Sequence, residues 1–268
     1  MNRGALRTAL GRAGLLPALR RCRELLWTAR FFKANRAFLR NGVPDGLEIP
    51  PAHLRILVAA SPDIAWFLEG GRLGAQSVRE ILERNGVPIP SVGPILDFGC
   101  GCGRVLRNFI GSGAALHGSD LNPGLIDWCR LHLKGASFGT NGLEPPLALA
   151  AGQFGLVYSL SVFTHLPEAL QSPWLEELAR VLRPGGHLAF STHGAWYLDQ
   201  LAPDERAQFE SGRLVVRHAD RPGSNACGAY HPEAYVRGNV PEALRIVDHI
   251  PQGALGNPFQ DLWLFRRI

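Results

Sequence analysis

Residues 95–109 read ILDFGCGCGRVLRNF. An apolar run of strand character carries an aspartate near its end, and glycines then occupy every second position, with Cys100 and Cys102 between them. A metal site would need two further ligands, and no other cysteine or histidine pair lies nearby in sequence. A Walker loop closes on Gly-Lys-Ser/Thr, whereas Gly103 is followed by Arg104 and Val105. A dinucleotide fingerprint counted from Gly99 finds Gly101, but Arg104 stands where the final glycine belongs, which weakens an NAD(P) reading. What remains is a strand–turn–helix whose glycines bring the main chain against a nucleoside without pyrophosphate. On that reading the cysteines are small fillers and not catalytic thiols.

Outward from this stretch, strand and helix patterns alternate. Strand runs stand at 94–98, 115–120, 154–159 and 187–192, with a short one near 136–138. Helices fit at 63–85, 103–111, 123–133 and 168–183, the last with Leu175, Leu178, Ala179 and Leu182 on one face. Such alternation implies parallel crossovers. The rhythm breaks over 194–240, which is polar and glycine-rich and holds one strand candidate at 213–218. Two closing runs, 244–250 and 261–266, are joined by only about ten residues, too few for a crossover helix, so they should pair antiparallel.

The 268 residues carry a net charge of +5, unevenly spread. Residues 1–40 hold ten Lys/Arg against the single acid Glu24, and the remainder is slightly acidic. Leu15, Leu19, Cys22, Leu26, Ala29 and Phe32 suggest one apolar stripe along a helix in this arm. Three readings of the arm stay open: a helix packed on the body or a partner protein, a helix on an anionic membrane surface, and a nucleic-acid contact or transit peptide. Residues 41–62, with four prolines, read as an irregular lead-in. Five scattered cysteines form no disulfide framework, and no run is apolar enough to span a membrane; a cytoplasmic setting is expected, with peripheral membrane attachment if the arm touches lipid.

Three further features sharpen the reading of the glycine stretch. Asp120 ends the second strand in LHGSD, where a carboxylate can accept both hydroxyls of a ribose. Asn141 follows the third strand in GTNGL, where an amide can meet an adenine edge. SVFTHL (161–166) and LRPGGHL (182–188) complete the series.

At DFGCGCGR (97–104), Asp120, SVFTHL and LRPGGHL the chain resembles the class I S-adenosylmethionine-dependent methyltransferases of the small-molecule type. FLEGGR (67–72) resembles their cofactor-covering lead-in more loosely. The resemblance implies an α/β, doubly wound, mostly parallel seven-stranded sheet with an antiparallel last strand, here with an N-terminal helical extension. With the basic arm and lead-in at 1–50, it implies a methyltransferase domain at 51–268 with 194–240 as a substrate lid.

For S-adenosyl-L-methionine as cofactor it implies Asp97, Gly99, Gly101 and Gly103 along the methionine part. Asp120 would lie at the ribose, Leu121 near the adenine, Asn141 or Gly142 at its edge, and Ser159 and Ser161 facing the sulfonium. Many relatives have aspartate at the position of Asn141. Arg72 is a candidate for the cofactor carboxylate. His165 and His193 are the candidate bases, with Tyr230 and His231 as weaker candidates.

The expected acceptor is a hydroxyl or amine of a small molecule. SLSV (159–162) replaces the N-P-P-aromatic element of DNA-base and glutamine methyltransferases, and no acidic metal cluster is evident, so no metal is expected. An RNA methyltransferase using the arm and a non-catalytic cofactor-binding scaffold are the competing readings; nucleic acid is disfavoured by the acidic body.

Overall fold

The computed structural model describes residues 16–257 and 259–268, with side chains from Arg21 onward. The chain divides into two compact units, one ending at Leu68 and the other spanning Glu69–Ile268.

The first unit holds helix α1 (Leu16–Arg40), helix α2 (Ala52–Ala59) and the start of α3 (Ile64–Arg84). The lead-in expected to be irregular therefore contains a helix, seated between Pro50–Pro51 and Pro62. Pro51 flanks the first turn, where a missing N–H costs nothing. Arg55 ties its ends together by donating to the carbonyls of Pro50 and Pro62. Asn35 of α1 fastens the start of α3: its Nδ2 donates to Pro62 O at 3.0 Å and its Oδ1 accepts from Ile64 N at 2.9 Å. Leu15 and the side chain of Leu19 lie outside the described residues. The rest of the expected α1 stripe is displaced: Cys22, Leu26, Ala29 and Phe32 are exposed. The half-buried line is instead Glu24, Trp27, Thr28, Phe31, Asn35 and Phe38.

The second unit is built on β1 (Ile95–Phe98), β2 (Leu116–Asp120), β3 (Ala136–Thr140), β4 (Phe154–Ser159), β5 (Leu182–Thr192), β8 (Leu244–Ile250) and β9 (Asp261–Arg267). They form one seven-stranded sheet in the order β3-β2-β1-β4-β5-β9-β8. The first five are parallel, β9 lies antiparallel to β5, and β8 pairs antiparallel with β9. The short final connection has thus done what chain length allows, and the doubly wound class is as expected.

Alternation along each strand divides the core. Leu96, Phe98, Val157, Leu188, Phe190, Trp263 and Phe265 face helix α5 (Glu168–Val181), which supplies Trp174, Leu175 and Leu178. Ile95, Leu156, Tyr158, Ala189, Leu262 and Leu264 face the other way, onto Ala75, Val78, Ile81 and Leu82 of α3. Strands covered on both faces need near-continuous apolar runs, which is what made them visible in the sequence. Helix α4 (Pro123–His132) follows β2 and is capped by Asn122, whose Oδ1 accepts from Gly124 N and Leu125 N.

One expected helix is replaced. Residues 103–111 form turns and a single 3₁₀ turn, Leu106–Phe109, because Gly101, Gly103 and Gly111 all hold positive φ (56°, 73° and 86°) and interrupt regular helix. The segment 194–240 is more regular than expected. It contains a 3₁₀ turn (Ala195–Gln200), helix α6 (Pro203–Glu210), an antiparallel ribbon of β6 (Val215–Arg217) and β7 (Gly228–Tyr230), and helix α7 (Glu233–Gly238). Its own small core gathers Leu201, Phe209, Val215 and Tyr230.

Helix α3 meets the glycine loop closely. A Cβ on Gly71 would lie 2.0 Å from the Arg104 carbonyl oxygen, a main-chain atom that cannot swing aside. Gly71→Ala should therefore lower the unfolding free energy by about 1–3 kcal/mol, the scale of overpacking. Denaturant unfolding of the variant against the parent measures it.

Candidate active site

Ligands of such sheets bind at the carboxyl ends of the parallel strands, and the candidate residues collect there. Gly99, Gly101 and Gly103 follow β1 directly. The expectation that they clear space for a ligand is only partly met. A Cβ on Gly99 would come within 2.2 Å of Val162 Cγ2, and one on Gly103 within 2.3 Å of Leu133 Cδ1, so protein side chains occupy both places.

The loop's shape serves another end: it aims the Gly101 N–H at Asp120. Asp120 Oδ2 accepts from Gly101 N at 2.8 Å and Oδ1 from Asn122 N at 2.8 Å. Each oxygen thus takes one bond and keeps a further acceptor position. Burial raises the Asp120 carboxyl above its usual range, and the two N–H donors oppose the rise.

Asp97 lies deeper, at the end of β1. It is buried, its Oδ2 has no hydrogen-bond partner, and burial pushes it up to about 8, with the nearby Asp120 carboxyl adding to the rise. Ser159 Oγ, at the end of β4, is likewise buried and unpartnered. At a pKa of about 8 Asp97 is mostly protonated at neutral pH, so the adjacent strand ends offer a neutral carboxyl group, the Asp120 carboxylate and an unsatisfied hydroxyl to a hydrogen-bonding ligand. A pyrophosphate would meet the Asp120 carboxylate there.

Arg104 does not offset this outward. Its guanidinium is buried and turned to Gly256 O and Asn257 Oδ1 (3.3 and 2.8 Å), packed against Gly70 and Gly71. Arg72 is exposed, and its bonds run along its own helix to Glu69 and Gln76. Leu121 is exposed beside Asp120, and a Cβ on Gly223 of the insert would press on it at 2.7 Å. The Asn141 amide is engaged internally: Oδ1 accepts from Ser119 Oγ at 2.6 Å and Nδ2 donates to Gly142 O at 2.7 Å.

Past β4 the chain turns sharply. Ser161 adopts φ 61°, a costly conformation for a residue with a Cβ, and two partners hold it there. Its N–H donates to Ser191 Oγ at 2.7 Å, and its Oγ accepts from Gln260 Nε2 at 2.9 Å. Ser191 in turn donates to Gln260 Oε1 at 2.8 Å. That bond fixes the amide's orientation and turns its N–H groups toward Ser161 and toward His193 Nε2, 3.4 Å away. Gln260 and Ser191 escaped the sequence reading, since neither belongs to a motif or a periodic stripe.

The two candidate histidines part company here. His193 Nδ1 faces the Ala229 carbonyl at 3.1 Å and so must carry the proton, while its Nε2 lies against Gln260. Both ring nitrogens are engaged, and burial, then the neighbouring His165, lowers its pKa to about 4. His165 Nδ1 donates to Cys227 O at 2.7 Å. That bond leaves Nε2 as the unprotonated nitrogen, with no hydrogen bond to it among the described residues. Burial holds the His165 pKa below its ordinary value, so the ring is neutral at pH 7.

Gln171 steadies the turn that carries His165 by donating from Nε2 to Phe163 O and Leu166 O at 3.0 and 2.8 Å. His231, buried, donates from Nε2 to Gln171 Oε1 at 3.1 Å; it braces this turn.

Aromatic rings surround the histidines. His193 lies 4.3 Å from the Tyr197 ring and 5.2 Å from Tyr230, and 6.5 Å from His165 in an edge-on arrangement. Trp196 and Phe259, both exposed, stack at 3.8 Å with planes 5° apart.

Residues 96–190 match the family model described as a methyltransferase domain. Residues 96–190 are thus similar to a methyltransferase domain, within a sheet of Rossmann-like strand order. The chain is similar to the ubiquinone biosynthesis O-methyltransferase of Thiobacillus denitrificans, 31% identical over 102 residues, covering 37% of this chain and 43% of that protein. It is also similar to the malonyl-[acyl-carrier protein] O-methyltransferase of Enterobacter lignolyticus, 29% identical over 175 residues, covering 64% of this chain and 68% of that one. The chain thus spans less than half the length of the ubiquinone-pathway relatives it matches. Among solved structures, an S-adenosylmethionine-dependent methyltransferase from Mesorhizobium loti superposes with a TM-score of 0.53 at 21% identity, covering 71% of this chain and 98% of that one. That likeness is one of fold.

Proposed function

We propose that this chain transfers a methyl group from S-adenosyl-L-methionine to a hydroxyl oxygen of a small molecule. The observation that carries the reading is the pair of carboxyl groups at adjacent strand ends, the buried Asp97 and the half-buried Asp120. They fit a ligand that brings polar hydrogen-bonding groups and a sugar diol together.

S-adenosylmethionine, when bound, supplies a methyl group already activated on a sulfonium. The residues of this chain bind, orient and deprotonate. Asp120 would hold the ribose hydroxyls on its remaining acceptor positions. Asp97 and Ser159 would take the polar groups of the methionine end. Ser161, locked by Ser191 and Gln260, would form the floor beneath the reacting atoms. His165 Nε2 is free to accept the proton of an acceptor hydroxyl, while His193 orients the wall.

The segment 194–240 would act as the lid, since it supplies Cys227 O and Ala229 O to the two histidines and sets Gly223 against Leu121. Exclusion of water by such a cover is what makes a fixed geometry effective. The aromatic wall suits an acceptor with a planar or apolar body, and the similarity to two O-methyltransferases supports oxygen as the atom methylated.

Calorimetric titration of the purified chain with S-adenosylmethionine, S-adenosylhomocysteine and NADH tests the reading. Binding of the first two alone is expected. Binding of NADH alone would overturn it.

A further inference from the structure

Helix α1 has 25 residues and, at ~1.5 Å per residue, is about 37 Å long. Its exposed and half-buried sides differ in kind. The half-buried line carries Trp27, Phe31 and Phe38 together with Glu24, the arm's only acid. The exposed arc carries Arg21, Arg23, Arg30, Lys33, Arg36 and Arg40 and no carboxylate. Large apolar side chains stand among these cations: Leu25, Leu26, Phe32 and Leu39 are 64, 74, 60 and 50% exposed. Leu25, Phe32 and Leu39 recur every seven residues, which puts them along one line of the helix. Lys33, Arg36 and Arg40 flank that line.

Water has no use for this combination. Four large apolar groups on one helix are costly to leave wet, and six like charges repel one another. We propose that α1 lies flat on an anionic lipid surface. Acidic headgroups would neutralise the cations, whose long stems let the charges reach headgroup level, while the leucines and Phe32 enter the boundary with the acyl chains.

A nucleic acid would satisfy the charges but leave the leucines and Phe32 unaccounted for. A second copy of the same arc would bring positive charge against positive charge. No described helix is long and apolar enough to cross a membrane, so the arm rests on the surface and does not span it.

The test uses the full chain, floated with vesicles of phosphatidylcholine alone or of phosphatidylcholine mixed equally with phosphatidylserine. Binding to the mixed vesicles only is expected. Arg36→Glu with Arg40→Glu should weaken it by at least tenfold, since each cation near such a surface contributes about fivefold. Leu25→Ser with Phe32→Ser and Leu39→Ser should weaken it comparably and leave a remnant that raised salt removes, because only the charge contribution is screened. Far-ultraviolet circular dichroism and S-adenosylhomocysteine titration identify variants that keep their fold.

Three results would overturn the proposal. One is no binding to the mixed vesicles. Another is folded triple-serine protein that binds as the parent does, which would make the attraction purely ionic. The last is a single-stranded RNA oligonucleotide that binds the parent while vesicles do not, which would assign the arc to nucleic acid.

Discussion

His165→Ala should lower kcat by about 10²–10⁴-fold while leaving S-adenosylhomocysteine affinity within a fewfold of the parent. That is the range by which a positioned base accelerates proton removal. The expectation rests on an asymmetry between two neighbouring rings. His165 has its proton fixed on Nδ1 by the Cys227 carbonyl and its Nε2 open, whereas both nitrogens of His193 are engaged. His193→Gln should therefore reduce kcat by much less, through loss of ring packing against Tyr197 and Tyr230.

The pH profile gives an independent check. Burial lowers the His165 pKa, so the neutral, proton-accepting form persists to a lower pH than in a free imidazole. Activity should be flat from neutral pH upward as far as this group is concerned. It should fall only below about 6.5, the ordinary value, and the acid limb should vanish in His165→Ala. Equal losses at the two histidines, or an acid limb that persists in the His165 variant, would remove His165 from the role of base.

Asp120→Ala is the second large effect, and it belongs to binding. The carboxylate holds Gly101 N and Asn122 N, and it is the group proposed to meet the ribose. Losing charge-assisted bonds of this kind costs about 1–3 kcal/mol, which corresponds to a rise in Kd for S-adenosylhomocysteine of roughly 5–150-fold. Isothermal titration on protein that keeps the parent's circular dichroism spectrum measures it. Unchanged affinity would take Asp120 out of the cofactor site and leave it as a brace for the glycine loop.

What the sequence disclosed, and what it hid, follows from how local each cause is. The strands were visible because both faces of the sheet are covered, so ILDF and FGLVYS are apolar almost without interruption. The antiparallel end was visible because ten residues cannot cross a sheet. Asp120 was legible as a strand-end acid because the run before it has strand character, and the strand does end there.

The errors came where tertiary contacts decide. In α1, leucine and phenylalanine occur in adjacent pairs, so two overlapping stripes can be drawn. The Asn35 contacts with Pro62 and Ile64 fall beside one of them and not beside the other. Residues 103–111 were rich in helix formers, yet the glycines at 101, 103 and 111 take positive φ. Arg104 registered only as the wrong residue for a dinucleotide fingerprint. Its bonds run to Gly256 and Asn257, more than 150 positions away. Gln260 could not be found at all from local pattern, because its partners Ser161, Ser191 and His193 lie 99, 69 and 67 positions distant.

Gln260 has a wider meaning for the architecture. The closing hairpin reads as trim along one margin of the sheet, something an engineer shortening the protein would discard first. Yet it carries the peg that keeps Ser161 in its unfavourable bend and sets the tilt of His193. A chain cut ahead of this peg would retain every parallel strand and still lose the contacts that hold Ser161 and His193 in place.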